Sequence, residues 1–254
     1  MLLTIDIGNT NTTLGIFDKE VLIASFRLST DHKRQPDEYA ALIYSLLPLQ
    51  NINTQHIDKA IICSVVPPLT NIFQNACKIA FKIDALIVGP GIKTGIEILY
   101  DSPRDVGADR IADAVAAHQL YGSPVIVVDL GTATVLDALD RNGNYLGGAI
   151  FPGIQVSAEA LFLGTSQLRR VELSAPKEAI GKNTISALQS GLVYGHVSMI
   201  EGMIIRFKKE LGQETIVVAT GGLAYLIANE TEVFQHVNIN LTLIGLRMIH
   251  DLNQ

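Results

Sequence analysis

Apolar and polar positions alternate through three short stretches at the start of the chain. Leu2–Ile7, Thr13–Phe17 and Val21–Arg27 read as strands, with Asp18-Lys19-Glu20 as the turn between the last two. Helical spacing follows over Asp37–Leu47, behind Pro36. Ala60–Val65 is a short apolar strand, and Pro67-Pro68 opens a helix expected to run through Ala80. Proline suits a helix's first turn because its missing N–H has no intrahelical partner there. Leu86–Val88 reads as another strand, closed by Gly89-Pro90-Gly91. The first half is therefore βββαβαβ, an α/β pattern.

The second half opens in the same way. VIVVDLGTATVLDAL, residues 125 to 139, reads as strand, turn and strand. DLGTATVLD at 129 parallels DIGNTNTTL at 6: each follows an apolar strand and runs acid, aliphatic, glycine, then small polar residues. Asn142-Gly143 is a strong hairpin signal, with another apolar strand near Leu146–Ile150. Helices are expected at Ile154–Leu163, Thr184–Glu210 and Asn240–Leu252. A strand at Thr215–Ala219 runs into Thr220-Gly221-Gly222. This is the pattern of an internal duplication, with one domain expected over residues 1–115 and its counterpart over 116–254.

The 254 residues are 48% hydrophobic and 17% charged, enough for a sizeable core. The net charge of -6 opposes broad nucleic-acid binding, which needs a basic surface. An anionic ligand must therefore be held by local donors. Cys63 and Cys77 lack metal-ligand spacing and read as reduced core thiols. No leader precedes Leu2 and no apolar run has bilayer length, so no membrane association and a cytoplasmic location are expected.

The turn at 6 to 13 carries the first chemistry. Gly8 allows close backbone approach, and Asn9, Thr10, Asn11, Thr12 and Thr13 supply amide and hydroxyl donors. Such a turn can cradle phosphate oxygens without a lysine. Asp6 would repel phosphate unless a cation lay between them, which makes it a Mg²⁺ handle, reached through water. A plain polar hairpin would look similar, but two copies with the same leading aspartate, and Gly221-Gly222 after a late strand, favour phosphate binding. A P-loop is excluded, since no Gly-x-x-x-x-Gly-Lys-Ser/Thr run exists.

Residues 100 to 118, YDSPRDVGADRIADAVAAH, carry the second. On a helix starting near Gly107, Asp109 and Asp113 share a face. A carboxylate in that first turn, beside Arg110, could accept a proton from a hydroxyl attacking a γ-phosphate. Spacing alone leaves this open against an ordinary acidic helix start with a surface ion pair.

DIGNTNT, SVVPPLT, the GADR tetrad, DLGTATVLD, GGAIFPG and GKNT with SGLVYG occur in this order. Together they resemble the type III pantothenate kinase family, within the acetate and sugar kinase/Hsp70/actin superfamily. The resemblance spans residues 3 to about 225. It implies two duplicated ribonuclease-H-like α/β domains with ATP in the cleft between them. It also implies ATP-dependent phosphorylation of pantothenate to 4′-phosphopantothenate, the first step of coenzyme A biosynthesis, by a homodimer needing Mg²⁺ and a monovalent cation, K⁺ or NH₄⁺. By motif, Asp6, Ile7, Gly8, Asn9, Thr10, Asn11, Thr12, Thr13 and Thr132 would bind ATP. Asp6 would also bind Mg²⁺ through water, and Asp109 would be the base. Tyr100, Gly107, Ala108, Asp109, Arg110 and Thr184 would bind pantothenate, Thr184 from the partner subunit. Asp129 would hold potassium, although a second Mg²⁺ fits it equally, and Thr184 could instead cap its helix. Gly147-Gly148 and Phe151-Pro152-Gly153 suggest tight packing or a dimer interface, with adenine contact the weaker reading. His118 and His196 read as structural. The alternatives in function are a non-catalytic ATP-binding transcriptional accessory factor, or another small-molecule kinase of the same superfamily.

Overall fold

Leu2–Ile7 forms strand β1, Asn11–Asp18 β2 and Val21–Ser29 β3, an antiparallel meander. Helix α1 (Pro36–Leu46) starts at a proline, and its Glu38 side chain accepts the N–H of Gln35 at 2.8 Å. A 3₁₀ turn, Leu47–Gln50, prolongs it, a second covers Thr54–His56, and β4 is Lys59–Ser64. Helix α2 (Pro67–Phe81) again begins at proline and ends at Lys82 in the left-handed region. Strand β5 is only Leu86–Ile87, and a third 3₁₀ turn, Pro103–Asp105, leads to α3, Ala108–Tyr121. Beyond it come β6 (Val125–Leu130), β7 (Ala133–Leu139), β8 (Tyr145–Pro152), α4 (Ile154–Gly164), α5 (Thr184–Leu211) and β9 (Ile216–Thr220). The chain ends with α6 (Ala224–Ala228), β10 (His236–Val237) and α7 (Leu241–Asp251). The short pieces α6 and β10 and the 3₁₀ turns were not expected. Each is too brief to leave a period in the sequence.

The structure, a computed structural model, describes residues 1–254 and divides into two units. The first holds Met1–Ile96, Asp101–Ala116 and Leu241–Gln254, and the second Glu97–Tyr100 and Ala117–Asn240. The sheet of the first unit has the order β3-β2-β1-β4-β5, and that of the second β10-β9-β6-β7-β8. Read from the other edge, the second is β8-β7-β6-β9-β10. In each unit the leading strand pairs antiparallel with the next strand of its meander and parallel with the strand after a helix. Burial along β1 and β6 matches at all six positions, with the aspartate fifth in both. The duplication is thus structural as well as sequential.

In the first unit Leu3, Ile5, Ile7, Leu14, Ile16 and Ile62 pack with Tyr39, Ile43, Leu69 and Phe73 of α1 and α2. The Tyr39 and Phe73 rings lie 4.2 Å apart. In the second, Ile126, Val128, Leu130, Leu136 and Val217 pack with Val193, Val197, Ile200 and Ile204 of α5. Each such buried aliphatic side chain contributes roughly 1.5–3 kcal/mol. One face of α5 is therefore core. Ile200 and Ile204 are buried, whereas Ile185 is exposed.

A cut at 115/116 leaves α7 in the second half, yet α7 belongs to the first unit. Thr242 on α7 donates to buried Asp113 of α3 at 2.7 Å. Leu243 approaches Gly15 of β2, and Gly245 lies against the Ala112 backbone. The helix is last in sequence but closes the open face of the first sheet, an arrangement that local periodicity does not encode. A Cβ on Gly245 would lie 1.9 Å from the Ala112 carbonyl oxygen. Alanine normally favours a helix over glycine by ~1 kcal/mol. Here Gly245→Ala is expected instead to destabilise the protein by about 1–3 kcal/mol through overpacking, read as a lower urea midpoint at unchanged slope.

Candidate active site

The first hairpin turns at Gly8, Asn9 and Thr10, where the Gly8 N–H donates to the Asn11 carbonyl at 3.0 Å. A Cβ on Gly8 would lie 2.9 Å from that same oxygen, so the turn needs glycine. Asn9, Thr10 and Asn11 are exposed at the tip, and Asp6, Gly8 and Thr13 are half-buried. Ile7 and Thr12 are wholly buried. The Ile7 side chain is core, and Thr12 engages the hydroxyl of Thr30 at 3.1 Å. The sequence pattern counts Thr12 among the phosphate donors, but its side chain faces the core. Only its backbone is left for a ligand.

Asp6 lies opposite Thr13 on β2 and Cys63 on β4, three positions in a row across the sheet. The Cys63 thiol donates to Asp6 Oδ1 at 3.2 Å. Burial and the neighbouring acids push that thiol well above its ordinary pKa, so it remains a donor. In sequence Cys63 is a plain core thiol, and only the parallel pairing of β1 with β4 brings it to Asp6. Burial, aided by the charge of Asp109, raises the Asp6 carboxyl from 3.8 to about 7, against the lowering effect of the Cys63 hydrogen bond.

Asp109 stands in the first turn of α3, where the helix N-terminus favours negative charge. Its Oδ1 accepts the Arg110 N–H at 2.8 Å. Burial raises its pKa, opposed by that hydrogen bond and the Arg110 charge. A Cβ on Gly107 would lie 2.4 Å from Asp109 Oδ1, so glycine leaves room for the carboxylate. Gly107, Ala108, Asp109 and Arg110 are all half-buried. Asp113, one turn on, is instead tied to Thr242. The two acids on this face thus differ in surroundings.

In the second unit the turn is shorter. The Gly131 N–H donates to Ala133 at 3.1 Å, and the Thr132 carbonyl accepts the Gly153 N–H at 3.1 Å. Thr132 is exposed and Asp129 half-buried. Asp129 lies opposite Val135 and Thr220, the positions matching Thr13 and Cys63. A Cβ on Gly221, where φ is +92°, would lie 2.4 Å from Asp129 Oδ1, which accounts for glycine after β9. Gly147 faces the Tyr100 ring, with a Cβ there only 3.1 Å from it, and Gly148 covers Leu136 and Asp137. This pair therefore serves close packing. Tyr100 lies at the boundary of exposure, and its segment is held by two backbone hydrogen bonds of 2.8 Å between Glu97, Leu99 and Tyr145. Thr184 is exposed at the start of α5, where Asn183 is the cap, accepting from the Ser186 N–H at 3.0 Å. Capping therefore does not account for Thr184. His196 is a buried core residue bonded to Thr134 at 2.8 Å. His118 contacts Ser123 Oγ at 2.8 Å.

The donor set suits a divalent cation held by water and phosphate, with one half-buried carboxylate, a hydroxyl-bearing neighbour and a second acid whose charge a cation would offset. No cluster of three or more His, Cys, Asp or Glu residues forms an all-protein metal cage.

Two sheets of one topology, each with an aspartate leading into a glycine turn, give this chain the fold of the actin-like ATPases. An inorganic polyphosphate/ATP-glucomannokinase from Arthrobacter sp. strain KM has the same fold, with a TM-score of 0.51 and 14% identity, covering 100% of this chain and 99% of that one. A protein described as a Baf family transcriptional activator, from Campylobacter jejuni, aligns with a TM-score of 0.64 and 22% identity over 99% and 98% of the two chains. The model of the type III pantothenate kinase family matches residues 2–206, and a type III pantothenate kinase from Syntrophus aciditrophicus is 47% identical over 253 residues, covering 100% of both chains. The chain belongs to the type III pantothenate kinase family.

A carboxyl whose folded pKa is about 7 instead of 3.8 favours the fold most when protonated. Asp6 makes that contribution in full below its unfolded value and loses it as pH rises through 7. In the protein free of nucleotide and divalent metal, Asp6→Asn is expected to gain in Tm over wild type from pH 4 to pH 7, then level off. Parallel thermal melts across that range check it.

Proposed function

We propose that this chain transfers the γ-phosphoryl group of ATP to the 4′-hydroxyl of pantothenate, giving 4′-phosphopantothenate and ADP in the first step of coenzyme A biosynthesis. The observation that carries this reading is Asp109: half-buried at a helix N-terminus, cleared by Gly107, with its pKa raised by burial. A carboxylate of raised pKa is a better proton acceptor near neutral pH. Asp109 takes the hydroxyl proton as the oxygen attacks phosphorus. The bond from phosphorus to the bridging oxygen breaks, and ADP leaves with that electron pair. Gly107, Ala108 and Arg110 line the pantothenate pocket, with Tyr100 beside it. Arg110 suits an anionic group and Tyr100 the apolar carbon skeleton.

The exposed tip residues Asn9, Thr10 and Asn11, with Gly8 and Thr13, cradle the phosphates, joined by the Ile7 and Thr12 backbone and by Thr132. Bound through water to Asp6, Mg²⁺ would neutralise charge on the phosphate oxygens. Asp129, set against glycine turns, holds a monovalent cation, K⁺ or NH₄⁺. The enzyme works as a cytoplasmic homodimer in which Thr184 reaches the partner's pantothenate. Exposed Leu146, Ile150 and Ile185 support such an interface, as apolar surface that a second subunit could cover. No helix is long and apolar enough to cross a membrane. The likeness to the Campylobacter protein is one of fold, and a net charge of -6 does not favour a nucleic-acid partner.

A coupled ADP-release assay tests the reaction. Turnover is expected only with pantothenate present, and faster in K⁺ or NH₄⁺ than in Na⁺. Asp109→Asn is expected to lower kcat by ~10²–10⁴-fold, the usual cost of losing a general base, while retaining ATP binding. ADP release indifferent to pantothenate would overturn the assignment.

A further inference from the structure

Thr30, which follows β3 and has no place in any of the sequence motifs, touches the phosphate turn at three points. Its hydroxyl donates to the Gly8 carbonyl at 2.7 Å. Its N–H donates to the Thr10 carbonyl at 3.0 Å. Its Oγ1 lies 3.1 Å from Oγ1 of Thr12. A threonine hydroxyl has one proton, and here it goes to Gly8, so the Thr12 hydroxyl donates to Thr30. The contacts span the turn from its glycine to the strand beyond it.

The next residue is anchored in the core. The Asp31 N–H donates to the Tyr39 hydroxyl at 3.0 Å, and that hydroxyl donates to the Asp31 carbonyl at 2.9 Å. Tyr39 is wholly buried against Phe73. A continuous chain of contacts thus runs from the α1 and α2 core through Asp31 and Thr30 to the turn. The duplicated unit repeats the device with other residues. Thr12 faces Ile7 across the first hairpin, and Thr134 faces Leu130 across the second. Thr134 is likewise buried and bonded, there to His196.

We infer that Thr30 is a positioning residue for nucleotide binding: it holds Gly8, Thr10 and Thr12 in the conformation that receives the phosphates. This rests on the assignment of the first hairpin to ATP. Thr30→Val keeps the shape but leaves the Gly8 carbonyl and the Thr12 hydroxyl without this partner, whereas Thr30→Ser keeps the hydroxyl. Thr12→Val removes only one of the two contacts.

The test measures Kd for the Mg²⁺ complex of a non-hydrolysable ATP analogue, KM for ATP and for pantothenate, kcat and Tm on the full chain. Thr30→Val is expected to raise the analogue Kd and the ATP KM roughly tenfold or more. The pantothenate KM should stay within about twofold, and Thr30→Ser should recover most of the loss. Thr12→Val should fall between them, and it carries the test should Thr30→Val fail to fold. Unchanged nucleotide affinity in Thr30→Val, no rescue by serine, or equal losses for both substrates in step with Tm would each overturn the inference. If wild-type protein bound the analogue but left pantothenate unphosphorylated, the substrate assignment would fail while the analogue Kd still decided Thr30.

Discussion

A carboxyl group half-buried at the end of a central strand, in the field of a second acid, is driven toward its neutral form. Asp6 is in that position, raised to about 7 by burial and by Asp109. The surrounding structure meets this constraint in several ways. Cys63 supplies a thiol donor from the neighbouring parallel strand. Gly107 leaves space for the other acid, and the start of α3 supplies a favourable dipole and the Arg110 N–H. What these leave uncompensated is what a bound cation would offset, so a fold that tolerates the pair in the apo state is suited to metal-bound phosphate.

The two units show how much of this plan is generic and how much is local. Both lead with an aspartate at the fifth position of a six-residue strand, and both follow the turn with a buried threonine. Around that shared frame the chemistry diverges. Cys63 lies beside Asp6, whereas Thr220 lies beside Asp129. Thr30 braces Thr12, whereas a helix histidine braces Thr134. The first turn has three residues and the second two, so the first presents more exposed polar groups. Divergence at these points gives the two carboxylates different surroundings.

Much of the fold and part of the site were legible in the chain. Strands β1, β6 and β9 and helices α2 and α5 are long or strongly apolar, and their signals survive tertiary packing. Strand β2 starts at Asn11, two residues before the expected start at Thr13, because pairing with β1 extends the ladder through polar residues. The short α6 and β10 left no readable period. Within the site, acids and glycines could be named from order alone. Which polar residues face a ligand could not, since Thr12 and Thr13 are adjacent, alike in sequence and opposite in direction.

By itself, the order of residues determined the two acid-glycine hairpins, the α/β duplication and the Gly107-Ala108-Asp109-Arg110 turn, because each is a local pattern of polarity and backbone freedom. Tertiary structure alone decided that Cys63 meets Asp6, that Thr30 braces the turn, that Thr242 holds Asp113 and that α7 closes the first unit. The hydrogen bonds among them join residues 18 to 129 positions apart. Nothing local encodes them: they arise when sheet register and helix packing bring distant side chains within hydrogen-bond reach.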